Sequence, residues 1–408
     1  MSDRPIALVD QGLLAVARFA AMLVFGRIFP ADVFGTLALA VTLSYISVGF
    51  NRSLVVLPFV FDSCSEEKTK SNGPVWLAGT LIVALVLIAL LVTLGLALKG
   101  SDRWGWIGSA FLWSAVLCPL ANIYEFIRRW IIQKRDAKTS ILQVVTFNGF
   151  TFALLAICYI TKSELMAIMS LAIPYALGSV ASLKSLGKDL RLDFAGAIEG
   201  WRHHRSLCSW GLAEYLADIC VGYGLIALVS TSLGSIGSAV YAATRNVVAP
   251  IYAIVSALVT VEPPRFARSL AASGISGLRV AFRSALILHV ALVGFTASIA
   301  YAFGDIALHW AYNSKFDDHG VELKIWIIAA CLSALSKPFE SWLLALGHAR
   351  ILFRCKAAGA IVAIATSMLL LNGFGLPGIL AGMVAGLAVN CVLLVVCRLR
   401  ITDVLKQS

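Results

Sequence analysis

Residues 75–98 read VWLAGTLIVALVLIALLVTLGLAL, 24 positions without one charged side chain. A helix crosses the hydrocarbon core of a bilayer, roughly 30 Å, in about 20 apolar residues, so this run is long enough to span. Runs of the same kind recur near 6–28, 33–61, 104–127, 140–160, 165–183, 209–230, 237–261, 284–303, 323–346, 357–372 and 376–397, about twelve in all. Only 13% of the residues are charged, whereas a water-soluble domain carries about 25%, and the mean hydropathy is +0.88. The chain reads as an all-α polytopic membrane protein. Arg18 interrupts the first run and no small-residue cleavage site precedes the second, so the first is a helix rather than a signal peptide.

Basic residues test this count, because Lys and Arg favour cytoplasmic connections and a wrong count scrambles their alternation. Of the 33 basic residues, 23 fall in one alternate set of connections, 5 in the other set or its edges, and 5 within predicted spans. Both termini are therefore expected in the cytoplasm. The net charge of +11 belongs mostly to the cytoplasmic rim, where it meets anionic lipid headgroups, and does not point to nucleic acid. None of the nine cysteines lies in a predicted outside connection, so disulfides are not expected. The six histidines lack metal-ligand spacing and no Walker-type phosphate loop occurs, so neither a metal, a cofactor nor ATP hydrolysis is expected.

The longest basic connection separates six predicted helices from six. This divides the chain into a lobe of residues 1–184, a loop of 185–208, a second lobe of 209–397 and a tail of 398–408. The segment RIFPADVFGTLALA at 27–40 resembles TSLGSIGSAVYAA at 231–243, and SLVVLPFVF at 53–61 resembles ALVTVEPPRF at 257–266. Both members of each pair start on the same side, which implies a parallel repeat and two six-helix lobes around a central cavity. The longest outside connection, residues 305–322, is too short for a catalytic domain. The chain is not expected to be an enzyme.

Charges at membrane depth cost about 2.5 kcal/mol or more each and mark candidate sites. Arg52 lies about nine residues, or about 14 Å, from the cytoplasmic end of its helix, too deep to reach water by snorkelling. It either lines a cavity, with Asn51 beside it, or joins a buried salt bridge or carbonyls near Pro58. Arg18 shares a helical face with Asp10 and Gln11 in an inward polar stripe, and Glu214 or Asp218 is a possible structural partner. Arg245 sits shallower in the eighth helix. Lys337 and Glu340, three residues apart, are placed to neutralise each other. Glu214 and Asp218, one turn apart, suit a shared proton or cation, or separate pairing with Arg18 and Arg52. Glu125 pairs at the interface with Arg128 and Arg129. Prolines 58, 119, 174, 250 and 338 free backbone carbonyls within or near the ends of spans.

Several of these residues carry a resemblance. Asp10-Gln11 leading the first helix, Arg27 at its end, Phe34-Gly35 opening the second, Asn51-Arg52-Ser53-Leu54-Val55 before Pro58, and the basic stretch YEFIRRWIIQKRDAKTS at 124–140 are similar to bacterial polysaccharide flippases. Those proteins belong to the multidrug/oligosaccharidyl-lipid/polysaccharide (MOP) exporter superfamily. The resemblance covers about the first 140 residues. It departs at Leu57, where an acidic residue often precedes the proline, and many members have more than twelve helices. It implies a MATE-like, monomeric transporter of the bacterial inner membrane that flips an undecaprenyl pyrophosphate-linked oligosaccharide outward by alternating access, alongside polysaccharide polymerase or export machinery.

A pyrophosphate needs cations inside the membrane, and arginine's planar fork suits it. Arg18, Asn51, Arg52, Arg245 and Lys337 are the candidate substrate contacts. Asp10, Glu214 and Asp218 are the candidates for coupling to an ion. The alternatives are a multidrug exporter of organic cations, which would favour carboxylates over arginines, a glycan polymerase or ligase, and a non-transporting assembly partner.

Overall fold

The computed structural model describes residues 4–62, 66–134, 136–186, 191–222 and 224–407; within these, the side chains at 4–11, 66–71, 137, 184, 185, 260, 261, 264 and 402–407 lie outside the description. The described residues form helices and no strand. The chain divides into two units, Met1–Tyr215 and Leu216–Ser408.

The first unit holds α1 (Arg4–Ile28), α2 (Ala31–Asn51), α3 (Leu57–Asp62), α4 (Glu66–Lys99), α5 (Gly105–Gln133), α6 (Ala137–Thr161), α7 (Glu164–Leu186), the short α8 (Phe194–His203) and most of α9 (Arg205–Val221). Helix α5 is its centre, in contact with α2, α4, α6 and α7. Its apolar face meets Val55, Phe59 and Trp76 through Phe126, Ile127 and Trp130, all nearly inaccessible. Helix α6 starts at Asp136, whose carboxylate accepts from the Thr139 amide at 3.1 Å and hydroxyl at 2.6 Å. These bonds stabilise the ionised form and hold the Asp136 carboxyl below its ordinary range.

The second unit holds α10 (Gly224–Val247), α11 (Ala249–Tyr312), α12 (Gly320–Ala345) and α13 (Ala349–Gln407). Three of these are bent at Gly234, Gly274 and Gly375, with φ of 71°, 61° and 57°. A Cβ is disfavoured in that left-handed region, which is why glycine occupies the turns. Helix α11 thus folds into a hairpin at Gly274, and α13 into another at Gly375.

By length and hydropathy, nine helical segments among the described residues suit a membrane span, and three of them exceed 40 residues. Once the turns and breaks are counted, helix occupies each of the predicted spans. The seventh and eighth, expected as continuous, are interrupted at Gly222 and at Val248. Pro250 in the first turn of α11 has no amide hydrogen to continue the preceding ladder. The carbonyl of Gly222 receives the Tyr241 hydroxyl at 2.8 Å, so that break leaves no bare acceptor.

Candidate functional site

Pro58 sets the local geometry of the first unit's polar site. A proline cannot donate to the carbonyl four residues back, here Leu54. The helix answers with a π-turn over Arg52–Val56, in which the Leu57 amide reaches back to the Arg52 carbonyl. The stranded Leu54 carbonyl accepts the Trp201 indole N–H at 2.7 Å, which ties α8 to this turn. Tyr215 supports the same helix, donating to the Ile46 carbonyl at 2.8 Å across Gly49, where any larger residue would overlap its ring.

At the π-turn, Asn51 and Ser53 point inward while Arg52 is exposed. Arg52 makes no hydrogen bond or ion pair among the described residues. Neighbouring helical residues project in different directions, so Asn51, expected beside Arg52 as a substrate contact, instead packs fully buried and donates to the Asn122 carbonyl at 3.4 Å. Its side-chain oxygen has no hydrogen-bond partner among the described residues.

Three more arginines and a glutamate complete the cluster. Glu125 accepts both Arg128 Nε and Nη2 at 2.9 Å in a fork, and Arg129 Nε at 2.9 Å. The pairing matches its three- and four-residue spacing, and the group is buried within the unit: the Arg128 side chain is 2% exposed and that of Glu125 9%. Arg18 donates to the Tyr175 hydroxyl at 3.3 Å and lies 5.0 Å from the Tyr45 ring centre. Glu125 attracts Arg18, and Arg52 repels Arg129. Among the described residues, Glu125 is the carboxylate to which an attraction of Arg18 is traced. Among the described residues, Glu125 pairs with Arg128 and Arg129 and has Arg18 near it, with Arg52 near Arg129: four guanidiniums grouped around one carboxylate, a formal +3. Sequence reasoning left Arg128 and Arg129 without a role because they sit at the cytoplasmic end of their helix; the signal was their spacing to Glu125.

The second unit gathers its charges differently. Lys337 donates to both Glu340 oxygens at 3.1 and 3.0 Å, as their spacing predicts. Lys356 bridges Glu340 at 3.1 Å and Asp218 at 3.2 Å, and Lys337 lies 4.0 Å from Asp218. Within its own unit Asp218 therefore meets lysines. Lys356, assigned to a cytoplasmic connection by charge counting, is 6% exposed at its side chain because it falls inside α13. Two lysines balance two carboxylates. Arg245 lies 5.9 Å from the ring centres of both Tyr252 and Trp326. Glu214 is half-buried on α9, and the Asp10 side chain lies outside the described residues.

No protein-family model matches the sequence, and no curated protein does. Solved structures match it over nearly the full length. A multidrug resistance MATE family transporter of the MOP superfamily, in an inward-facing conformation, aligns at TM-score 0.75 with 14% identity, covering 98% of this chain and 96% of that one. The eukaryotic MATE transporter AtDTX14 aligns at 0.70 with 17% identity, covering 97% and 93%. A MOP superfamily transporter from Pyrococcus furiosus, described as having a binding pocket of reversed polarity that suggests a different function, aligns at 0.69 with 14% identity, covering 98% and 94%. At these identities the likeness is one of fold: the chain has the all-helical MATE-like fold of a multi-pass membrane protein.

Proposed function

We propose that this protein is a transporter that carries an anionic lipid-linked oligosaccharide, of the undecaprenyl pyrophosphate type, from the cytoplasmic to the outer leaflet of a bacterial inner membrane. The observation that carries the reading is Arg52. It is exposed at the edge of a cluster of formal charge +3, with no carboxylate of its own among the described residues. A phosphate supplies what that cluster lacks, and a guanidinium fork binds it through two parallel charge-assisted bonds. Arg18 backs the site from α1, and Arg245, between aromatic rings, suits a contact with the glycan or its phosphate. Lys337 contributes only when its bond to Glu340 opens. Asp10 and Glu214 are the carboxylates proposed to couple transport to an ion, with Asp218 joining them if Lys356 lets go.

The description of the Pyrococcus furiosus protein, a binding pocket of reversed polarity that suggests a different function, is in keeping with an argument from polarity. The competing reading, a multidrug exporter, rests on the fold shared with multidrug MATE transporters. Reconstitution into vesicles decides between them. Wild-type protein is expected to move an undecaprenyl pyrophosphate glycan between leaflets and Arg52→Ala to slow it at least tenfold. Equal rates would remove Arg52 from the mechanism. Export of organic cations with no movement of any such lipid would replace the flippase by the exporter.

A further inference from the structure

Helix α11 places a second kind of titratable group inside the second unit. Glu262 stands twelve residues before the Gly274 turn and His289 fifteen after it, so the hairpin brings them side by side. His289 Nδ1 is 3.2 Å from Glu262 Oε1. Both are buried, His289 fully and Glu262 to 5% exposure. Neither carboxylate oxygen has a hydrogen-bond partner among the described residues, and neither does His289 Nε2. His289 Nδ1 also lies 3.0 Å from the Ala285 carbonyl, which competes for its hydrogen.

A bare carboxylate in an apolar interior is expensive, and a protein avoids it by pairing the charge or by keeping it protonated. The other charges nearby do neither. On the hairpin, Arg265 donates to Ser284 at 3.2 Å, while Arg268, Arg279 and Arg283 are exposed. On α12, Lys337 is bound to Glu340, which also meets Lys356 of α13, and Glu322 engages His319 while Lys324 lies 6.0 Å from the Tyr301 ring centre. On α13, Arg398 lies 3.7 Å from the Phe282 ring centre, and Arg350, Arg354 and Arg400 are exposed. On α10, Arg245 lies over Tyr252 and Trp326.

We propose that Glu262 and His289 form a buried proton-binding site that carries one proton between them, as Glu-COOH beside neutral imidazole or as carboxylate beside imidazolium. Either form leaves the pair neutral. Removing the proton leaves a lone negative charge in an apolar interior, and adding another leaves a lone positive one. The site therefore keeps its proton while closed and exchanges it when water enters. Joined to the transport reading, it is a second place, apart from Asp10 and Glu214, at which proton movement is coupled to a change of conformation.

The site is tested without any transported substrate. At neutral pH, infrared spectra of the purified protein are expected to show a protonated-carboxyl band that Glu262→Gln abolishes, or histidine-labelled NMR to show an imidazolium that His289→Gln abolishes. Glu262→Gln has the shape of the protonated acid, so it is expected to fold like wild type; gel-filtration behaviour checks this, and His289→Gln gives a second route if it fails. An ionised Glu262 beside a neutral His289 in the same samples overturns the proposal. In vesicles, Glu262→Gln is expected to reduce proton movement per transported molecule severalfold. A proton found on the pair in a protein that moves no lipid keeps the site and sinks the flippase reading, so the two fail separately.

Discussion

The two units solve the problem of charge at membrane depth in opposite ways. In the first, Glu125 is shared by Arg128 and Arg129 at 2.9 Å each while Arg18 and Arg52 add two further cations. In the second, Lys337 and Lys356 meet Glu340 and Asp218, two cations for two carboxylates within that group of described residues. An internally balanced network has no electrostatic need of a ligand. An unbalanced one does, and its surplus is what recruits an anion. The contrast also separates two uses of ion pairs, since removing one member of a buried pair is far more damaging than replacing both.

The largest expected effect strikes the first cluster. Glu125→Gln leaves its arginines without their carboxylate and is expected to lower stability by about 3–5 kcal/mol, read as a fall in melting temperature in detergent. A loss no larger than a surface substitution would show that Glu125 does not hold the cluster. Next comes Arg52→Ala, expected to weaken binding of a short-chain pyrophosphate lipid by about 1.5–3 kcal/mol, the worth of a hydrogen bond to a charged group. Its melting temperature should stay near wild type, since Arg52 has no hydrogen bond or ion pair to lose among the described residues.

In the second cluster, Glu340→Gln is expected to cost about 1–3 kcal/mol, less than Glu125→Gln, because Asp218 remains as partner for Lys356. The paired replacement of Lys356 and Glu340 by methionine is expected to be milder than the sum of the two single changes; simple additivity would refute the coupling drawn between them. The smallest effect lies outside both clusters. Asp136→Ala removes the cap of α6 and is expected to cost about 1 kcal/mol. Because the folded carboxyl is held below its ordinary value of about 3.9, that difference is fully present above about pH 4 and closes as the pH falls through the folded value. Melting curves of wild type and variant across that range measure it.

Much of this was legible in order along the chain. Apolar runs marked the spans, and Pro58 marked the helix irregularity that carries Arg52. The three-residue spacing of Lys337 and Glu340 and the three- and four-residue spacings from Glu125 announced their pairings. What could not be read was any meeting between distant residues. Asp218 was read as a partner of Glu214 or of an arginine, and nothing in the sequence pointed to Lys356, 138 positions away, which it meets at 3.2 Å. His289 looked like one of six scattered histidines, yet the turn at Gly274 delivers it to Glu262. Asn51 looked like the natural companion of Arg52, and its helix turned it the other way.

The sequence by itself determined that the chain is helical and crosses a membrane many times, because segment length, hydropathy and proline chemistry are local properties. It also determined the stock of buried charges. Only the tertiary structure decided which charges cancel, because cancellation depends on separations of a few ångströms between helices that lie far apart in the chain. The surplus at Arg52, on which the functional reading depends, exists only once that pairing is complete.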